Sequence, residues 1–215
     1  MRTITTTLLL SLVIAFTSCE KEVNYANNNN SNNNTGGTGG NSTQDIIGTY
    51  DFVGISAHTE STVTVNTGGQ DLKSVTISDY TSKDNTGTIQ ITSSQFISNN
   101  LGYAIDTIMN VKSYTDNVLI DDSDFPFTET IPGSGSTSPY TRITADSISI
   151  VGALGAPSDP SGTIPTGPVG VKLAWSGDTL LLKINSSFTQ PITQGGVTGV
   201  ITESVNGVTK LKKHQ

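Results

Sequence analysis

From Asp45 onward the chain alternates between apolar and polar positions with a period of two. Thr62-Val63-Thr64-Val65, Ser74-Val75-Thr76-Ile77-Ser78, Thr88-Ile89-Gln90-Ile91-Thr92 and Ser147-Ile148-Ser149-Ile150 each put one residue type on each face. Such alternation predicts strands with one dry and one wet face. Val169, Val171, Leu173 and Trp175 form another stripe, and Leu180, Leu182 and Ile184 repeat it after the turn Ser176-Gly177-Asp178. Tyr103, Ile105, Thr107, Met109 and Val111 form the stripe of a longer strand, and Ile46 to Phe52 reads as the first. Two stretches break the rhythm: Pro132 to Pro139 reads as a Gly/Ser/Thr loop, and Gly152 to Pro168 as a longer loop with four prolines. Asn206-Gly207 reads either as a tight hairpin turn or as a bulge in one final strand.

Many short strands joined by Gly, Asn and Asp turns predict an all-β fold, an up-and-down antiparallel barrel or alternatively a β-sandwich. Composition agrees: Thr, Ser, Gly, Ile and Val abound, and charged residues make up only 13%. Few charges are then available to guard open sheet edges, and closure removes edges altogether. Residues 45–215 suffice for one core.

The first 44 residues carry a different pattern. Arg2 is followed by an apolar run from Leu8 to Phe16, too short to span a bilayer and in keeping with a secretory signal over residues 1–18. The run ends Phe16-Thr17-Ser18-Cys19, and Cys19 is the only cysteine in the chain. This stretch resembles the lipobox of bacterial lipoproteins, which implies acylation at Cys19, cleavage before it, and membrane anchoring by several acyl chains. The acids of Glu20-Lys21-Glu22 resemble the surface-export signal of Bacteroidota-type lipoproteins, which implies the outer membrane and its outer face, with the periplasmic face as the alternative. Asn24 to Gln44 is Asn, Gly, Ser and Thr with almost nothing to bury. Residues 19–44 are therefore expected to be a flexible tether, its low-complexity part reaching about 25 Å root-mean-square.

The first strand of the β domain contains Gly48-Thr49-Tyr50, and the chain closes on "TKLKKH". Together with "SGDTLLLKI" these stretches resemble lipocalin-like lipoproteins, whose first strand opens on a Gly-x-Trp motif. The resemblance implies that Gly48 and Tyr50 take the Gly and Trp places at the barrel base. It implies that Lys210 or Lys212 packs across the ring, a structural closure rather than chemistry.

Candidate chemistry is sparse. His58 and His214 are the only histidines, with no metal-ligand spacing between them. Gly133-Ser134-Gly135-Ser136 lacks the strand–turn–helix context of a nucleophile elbow. Asp121-Asp122-Ser123-Asp124 lacks the glycine and distant Glu of a Ca²⁺ loop and reads as a solvated turn. The expectation is a non-enzymatic protein with no cofactor and no metal. The net charge of −7 argues against nucleic acid as partner. Two binding functions remain: a small apolar ligand inside the barrel, or a surface glycan or protein met through the loops, with Phe125, Phe127 and Tyr140 as aromatic candidates. Asp106-Thr107-Ile108, Asp146-Ser147-Ile148 and Asp178-Thr179-Leu180 match a loose O-glycosylation pattern that chance also produces in so Ser/Thr-rich a chain.

Overall fold

The computed structural model describes residues 45–151, 168–194 and 197–215; the signal segment, Cys19, the tether and residues 152–167 of the proline-rich loop lie outside the described residues. The described residues form nine strands: β1 (Gly48–Thr67), β2 (Gln70–Thr81), β3 (Lys83–Ile91), β4 (Gln95–Thr115), β5 (Val118–Thr144), β6 (Ser147–Val151), β7 (Pro168–Ser176), β8 (Thr179–Gln194) and β9 (Val197–Lys213). Every pairing is antiparallel, and β9 returns to β1 from Tyr50↔Lys213 to Val65↔Gly199, closing one sheet into a ring. This is the expected up-and-down order.

Nine strands make only eight columns of the ring. The lower part of β1 (Gly48–Asp51) pairs with β3 and its upper part (Ser56–Thr67) with β2. On the far side β4 meets β3 low and β2 high. β2 and β3 are thus one column broken at Ser82. At the break the Ser82 amide donates to the Ile55 carbonyl at 2.8 Å, and the Ile55 amide donates to Ser82 Oγ at 2.8 Å. Asn85 Nδ2 donates to the Val53 carbonyl at 2.8 Å. The β1–β9 register slips here, between Phe52 and Gly54. Gly54 has φ 147°, and a Cβ on it would stand 2.9 Å from both Ser82 Oγ and Asn85 Nδ2. A side chain would wedge the bulge open, so glycine is needed there.

The core fills the base of the ring. Tyr50, Phe52, Phe96, Tyr103 and Tyr140 are buried with a shell of Ile, Leu and Val from all eight columns. Tyr50 is fully buried, donates its hydroxyl to the Ile46 carbonyl at 2.8 Å, and packs at a tilt against Trp175, ring centroids 6.3 Å apart. Phe96 meets Tyr140 edge-on at 5.0 Å. Each such side chain stabilises the fold by roughly 1.5–3 kcal/mol, and aromatic pairing adds about 0.5–1.5 kcal/mol.

Three stretches differ from the sequence expectation. Pro132 to Pro139 is not a loop but part of β5, paired with β4 from Gln95 to Leu101, with a register shift on either side of Leu101. Its glycines serve close packing: a Cβ on Gly133 would meet Asn100 Oδ1 at 2.2 Å. Asp121 to Asp124 is also strand, not a solvated turn; the turn lies just before it at Asp116-Asn117, whose φ values of 51° and 64° carry the signature of a type I′ hairpin. Asn206-Gly207 is neither turn nor bulge, because the β9 register runs unbroken through it to both neighbours. Gly207 lies opposite Ala57.

Candidate functional site

Three hairpins rise above the packed base. β6 pairs with β5 only over Tyr140–Thr144, and β7 with β8 only over Thr179–Ile184. Beyond those limits β5, β4, β2, β1, β9 and β8 continue side by side. Parity fixes the faces. Ile55 and Ala57 point into the core, so Thr59, Ser61, Val63 and Val65 share the inner face above them. Register then carries that face across the sheet in rows. One row runs Phe125, Met109, Ser78, Thr59, Val205, Ser186; the next runs Ser123, Val111, Thr76, Ser61, Glu203, Phe188.

The rows share a design. The β1 and β2 positions at the centre are mostly small hydroxyl residues: Thr59, Ser61, Ser74, Thr76 and Ser78. The flanks are apolar: Met109, Val111, Phe125 and Phe127 on one side, and Ile184, Phe188, Ile192, Ile201 and Val205 on the other. Most of these flank residues are only half-buried, and Phe125 is 47% exposed. By contrast, the base below is packed shut by its own side chains.

Ionisable groups on this face are acidic. Glu203 points inward and is buried to 5% exposure, and Glu129 points inward opposite Ile105. Tyr103 lies beneath, its phenol pushed well above the usual range, first by burial and then by the nearby Tyr80 and Glu129. It remains neutral at any physiological pH. Asp121 continues the inner parity toward the rim, while Asp122 and Asp124 point outward and accept hydrogen bonds from Asn110 Nδ2 at 2.7 and 3.0 Å.

The residues singled out from sequence fall in several places. Gly48 opens β1, and Tyr50 lies buried in the base. Its ring meets Trp175, whereas Lys210 and Lys212 are both exposed and Lys212 Nζ lies 3.8 Å from Asp178 Oδ2. Phe125 and Phe127 are on the inner face, with Phe127 packed against the core. Tyr140 is not a surface aromatic: it is 9% exposed, and its hydroxyl donates to the Thr92 carbonyl at 2.7 Å. His58 sits in mid-strand on the outer face, Nδ1 2.9 Å from Asp79 Oδ1. Ser56 Oγ, two residues away, is engaged by Thr81 Oγ1 at 3.1 Å. A shallow outer depression surrounds these groups and includes Asn206. His214 is held in place by its amide bond to the Thr49 carbonyl and by Asp51 Oδ1, 2.7 Å from its Nδ1. Among the described residues no group of three or more His, Cys, Asp or Glu is placed to hold a metal ion. Sequence reasoning does not single out Glu129, Glu203, Phe188 or Ile201. The alternation Ile184-Ser186-Phe188-Gln190-Ile192 signals a strand, but only pairing with β9 shows which face meets the others.

No protein-family model, curated protein or solved structure matches this chain.

Proposed function

We propose that this chain is a lipoprotein anchored to the outer membrane through Cys19, and that its non-enzymatic, lipocalin-like barrel holds a small apolar or amphipathic ligand against the inner face of its upper strands. One observation carries the ligand reading: Val63, Met109, Val111, Phe127, Phe188 and Ile192 point inward yet remain half-buried. Apolar side chains left partly uncovered on a concave face mark binding surfaces. The base, filled by Tyr50, Phe52, Phe96 and Tyr140, leaves ligand binding to the upper part. Chain entry at Gly48 and exit at Lys213 both lie at the base. A tether from Cys19 would therefore hold the base toward the membrane and the rim away from it.

The test is organic-solvent extraction and mass spectrometry of the protein purified from its native membrane under mild conditions, beside a Thr76→Phe variant that fills the floor of the face. An apolar molecule in about one-to-one ratio, lost in the variant, supports the reading. Extracts free of such a molecule, together with no binding of dodecanol by the purified chain, overturn it.

A second reading draws on Val118, Leu119 and Ile120, exposed at the start of β5 beside the β4–β5 turn. An aliphatic tip facing away from the membrane would suit a surface protein or glycan partner. Loss of partner capture on Val118→Ser/Leu119→Ser/Ile120→Ser substitution, with ligand content unchanged, would favour it.

A further inference from the structure

Resting on the second reading above, we infer that the tip of the β4–β5 hairpin docks a basic protein surface, an apolar groove bordered by lysine or arginine, and not a glycan. The chain turns at Asp116-Asn117 and continues Val118-Leu119-Ile120-Asp121-Asp122, exposed at every one of these positions. Val118 is 62% and Ile120 64% exposed. A run of three exposed aliphatic side chains is a liability unless something binds it. A bulge helps to put them there: Ser113 pairs with Asp121 and Tyr114 with Leu119, so Ile120 has no partner on β4. Val118 also continues a row through Thr115 to the exposed Leu72, so the apolar patch spans two hairpins. The Asp71 amide, bonded to Asp116 Oδ1, joins those hairpins at their tips. Chain length keeps residues 152–167 from covering the patch. A connection of that length, going out and back, reaches about 30 Å. From Tyr140, the partner of Ile150, β5 runs on the order of 70 Å to Val118.

The charge around the triplet decides what it fits. Asp71, Asp116 and Asp121 are exposed and accept hydrogen bonds from uncharged donors: Asn66 Nδ2 to Asp71 at 2.7 Å, the Asp71 amide to Asp116 at 3.0 Å, and the Ser123 hydroxyl to Asp121 at 2.9 Å. The lysines beside them are engaged elsewhere. Lys112 Nζ lies 3.8 Å from Asp122 Oδ2, and Lys73 Nζ stands 4.3 Å over the Tyr114 ring. The tip is therefore apolar at its centre and negative around it, which favours a partner of opposite charge. A second copy would bring like charges together, and an anionic lipid surface would be repelled for the same reason. A sugar ring would need a flat aromatic face to stack on. Val118, Leu119 and Ile120 offer none, and the Tyr114 ring carries Lys73.

The overall charge of −7 attracts cations everywhere, so the test must depend on position. The full chain carrying Cys19→Ser is titrated with three short labelled peptides, alternating Leu with Lys, Leu with Glu, and Ser with Lys, and binding is read by fluorescence anisotropy at physiological salt. The Leu/Lys peptide should bind about tenfold or more tighter than either of the others, because it alone answers both the apolar centre and the acids. Val118→Ser/Leu119→Ser/Ile120→Ser and, separately, Asp116→Asn/Asp121→Asn should each weaken it several-fold. Asp84→Asn/Asp178→Asn, which removes the same charge lower on the barrel, should leave it intact. Trp175 fluorescence checks that each variant is folded, and the Asn pair, which keeps the Asp116 acceptor, serves if the triple variant is not. Leu/Glu binding as tightly as Leu/Lys, no binding of Leu/Lys, or the lower pair acting as strongly as the tip variants overturns the inference. A photo-crosslinking residue in place of Leu119, activated in native membranes, separates that failure from failure of the second reading. Protein adducts whose yield falls with Asp116→Asn/Asp121→Asn support the inference. Carbohydrate adducts overturn it while the tip remains a binding surface, and no adduct of any kind overturns the second reading itself.

Discussion

The Asp71 amide donates to Asp116 Oδ1 at 3.0 Å, and the Asp116 amide donates back to the Asp71 carbonyl at 2.8 Å. Two hairpins that are far apart in sequence are thereby stitched together at their tips. The stitch matters because β2 and β4 meet only from Leu72↔Thr115 to Ser78↔Met109, with the column break below. It holds the upper end of the face that carries Met109, Val111 and Thr76.

Asp116 also has φ 51°, a conformation that Asp tolerates better than most side chains. Asp116→Ala removes the acceptor and keeps the unfavourable backbone, so a loss of about 1–2 kcal/mol is expected. Asp116→Asn keeps both the acceptor and the tolerance and should cost little. Hydrogen exchange localises the effect: the Asp71 amide should lose protection in Asp116→Ala and keep most of it in Asp116→Asn.

Two glycine substitutions should have opposite signs. A Cβ on Gly102 would stand 2.8 Å from the Gly133 amide nitrogen and 3.1 Å from the Ile131 carbonyl oxygen, where only backbone could yield. Gly102→Ala should destabilise the fold by about 1–3 kcal/mol. A Cβ on Gly170, on β7, meets nothing within 4 Å. Gly170→Ala should be neutral or add up to about 1 kcal/mol by restricting the unfolded chain. Urea denaturation followed by Trp175 fluorescence measures both, since Trp175 is the only tryptophan and lies against Tyr50 in the core.

These glycines also show why the fold was legible in sequence in some places and not in others. Strands with clean alternation, such as Ser74–Ser78 or Leu180–Ile184, declare themselves because burial on one face leaves a period of two. Pro132–Pro139 hides its strand because its small residues answer the close approach of β4 at Asn100 and Gly102, a demand set by a distant segment. Asp121–Asp124 looks like a turn because acids are common in turns; here they alternate across a sheet edge, and Asn110 and Lys112 on β4 receive the outward pair. The candidate site was less legible than the fold. Each inward stripe can be read within its own strand, but Glu203 joins Ser61 and Phe188 only through two registers. Tyr140 misled for the same reason, since its partners Phe96 and Thr92 lie more than forty positions earlier.

Alkaline pH should unfold the base. Burial raises the phenol pKa of Tyr50, Tyr103 and Tyr140 above its ordinary value, with Asp45 adding to the shift at Tyr50 and Tyr140, and Arg142 opposing it at Tyr140. For groups raised in the folded state, the stabilisation is complete below the unfolded value of about 10 and is lost as pH rises above it. Stability should therefore be flat through neutral pH and fall from about pH 10 upward. Tyr103→Phe, at the most strongly shifted of the three, should weaken that fall. Denaturant midpoints measured across the alkaline range would show it; a slope unchanged by Tyr103→Phe would mean that the loss arises elsewhere.

The anchor is the most direct prediction to check. If Phe16-Thr17-Ser18-Cys19 is read as a lipobox, the native protein should begin at Cys19 and carry the mass of its acyl chains, and it should partition into the membrane fraction. Cys19→Ser should shift it to the soluble fraction without changing the denaturation midpoint of the β domain, because the first core residue, Ile46, lies well beyond the tether. Two or more acyl chains are needed for stable attachment, so the shift should be nearly complete rather than partial. Intact-mass analysis of the membrane-extracted protein distinguishes the outcomes: an acylated mature chain supports the anchor, and a chain cleaved elsewhere with a free Cys19 thiol refutes it.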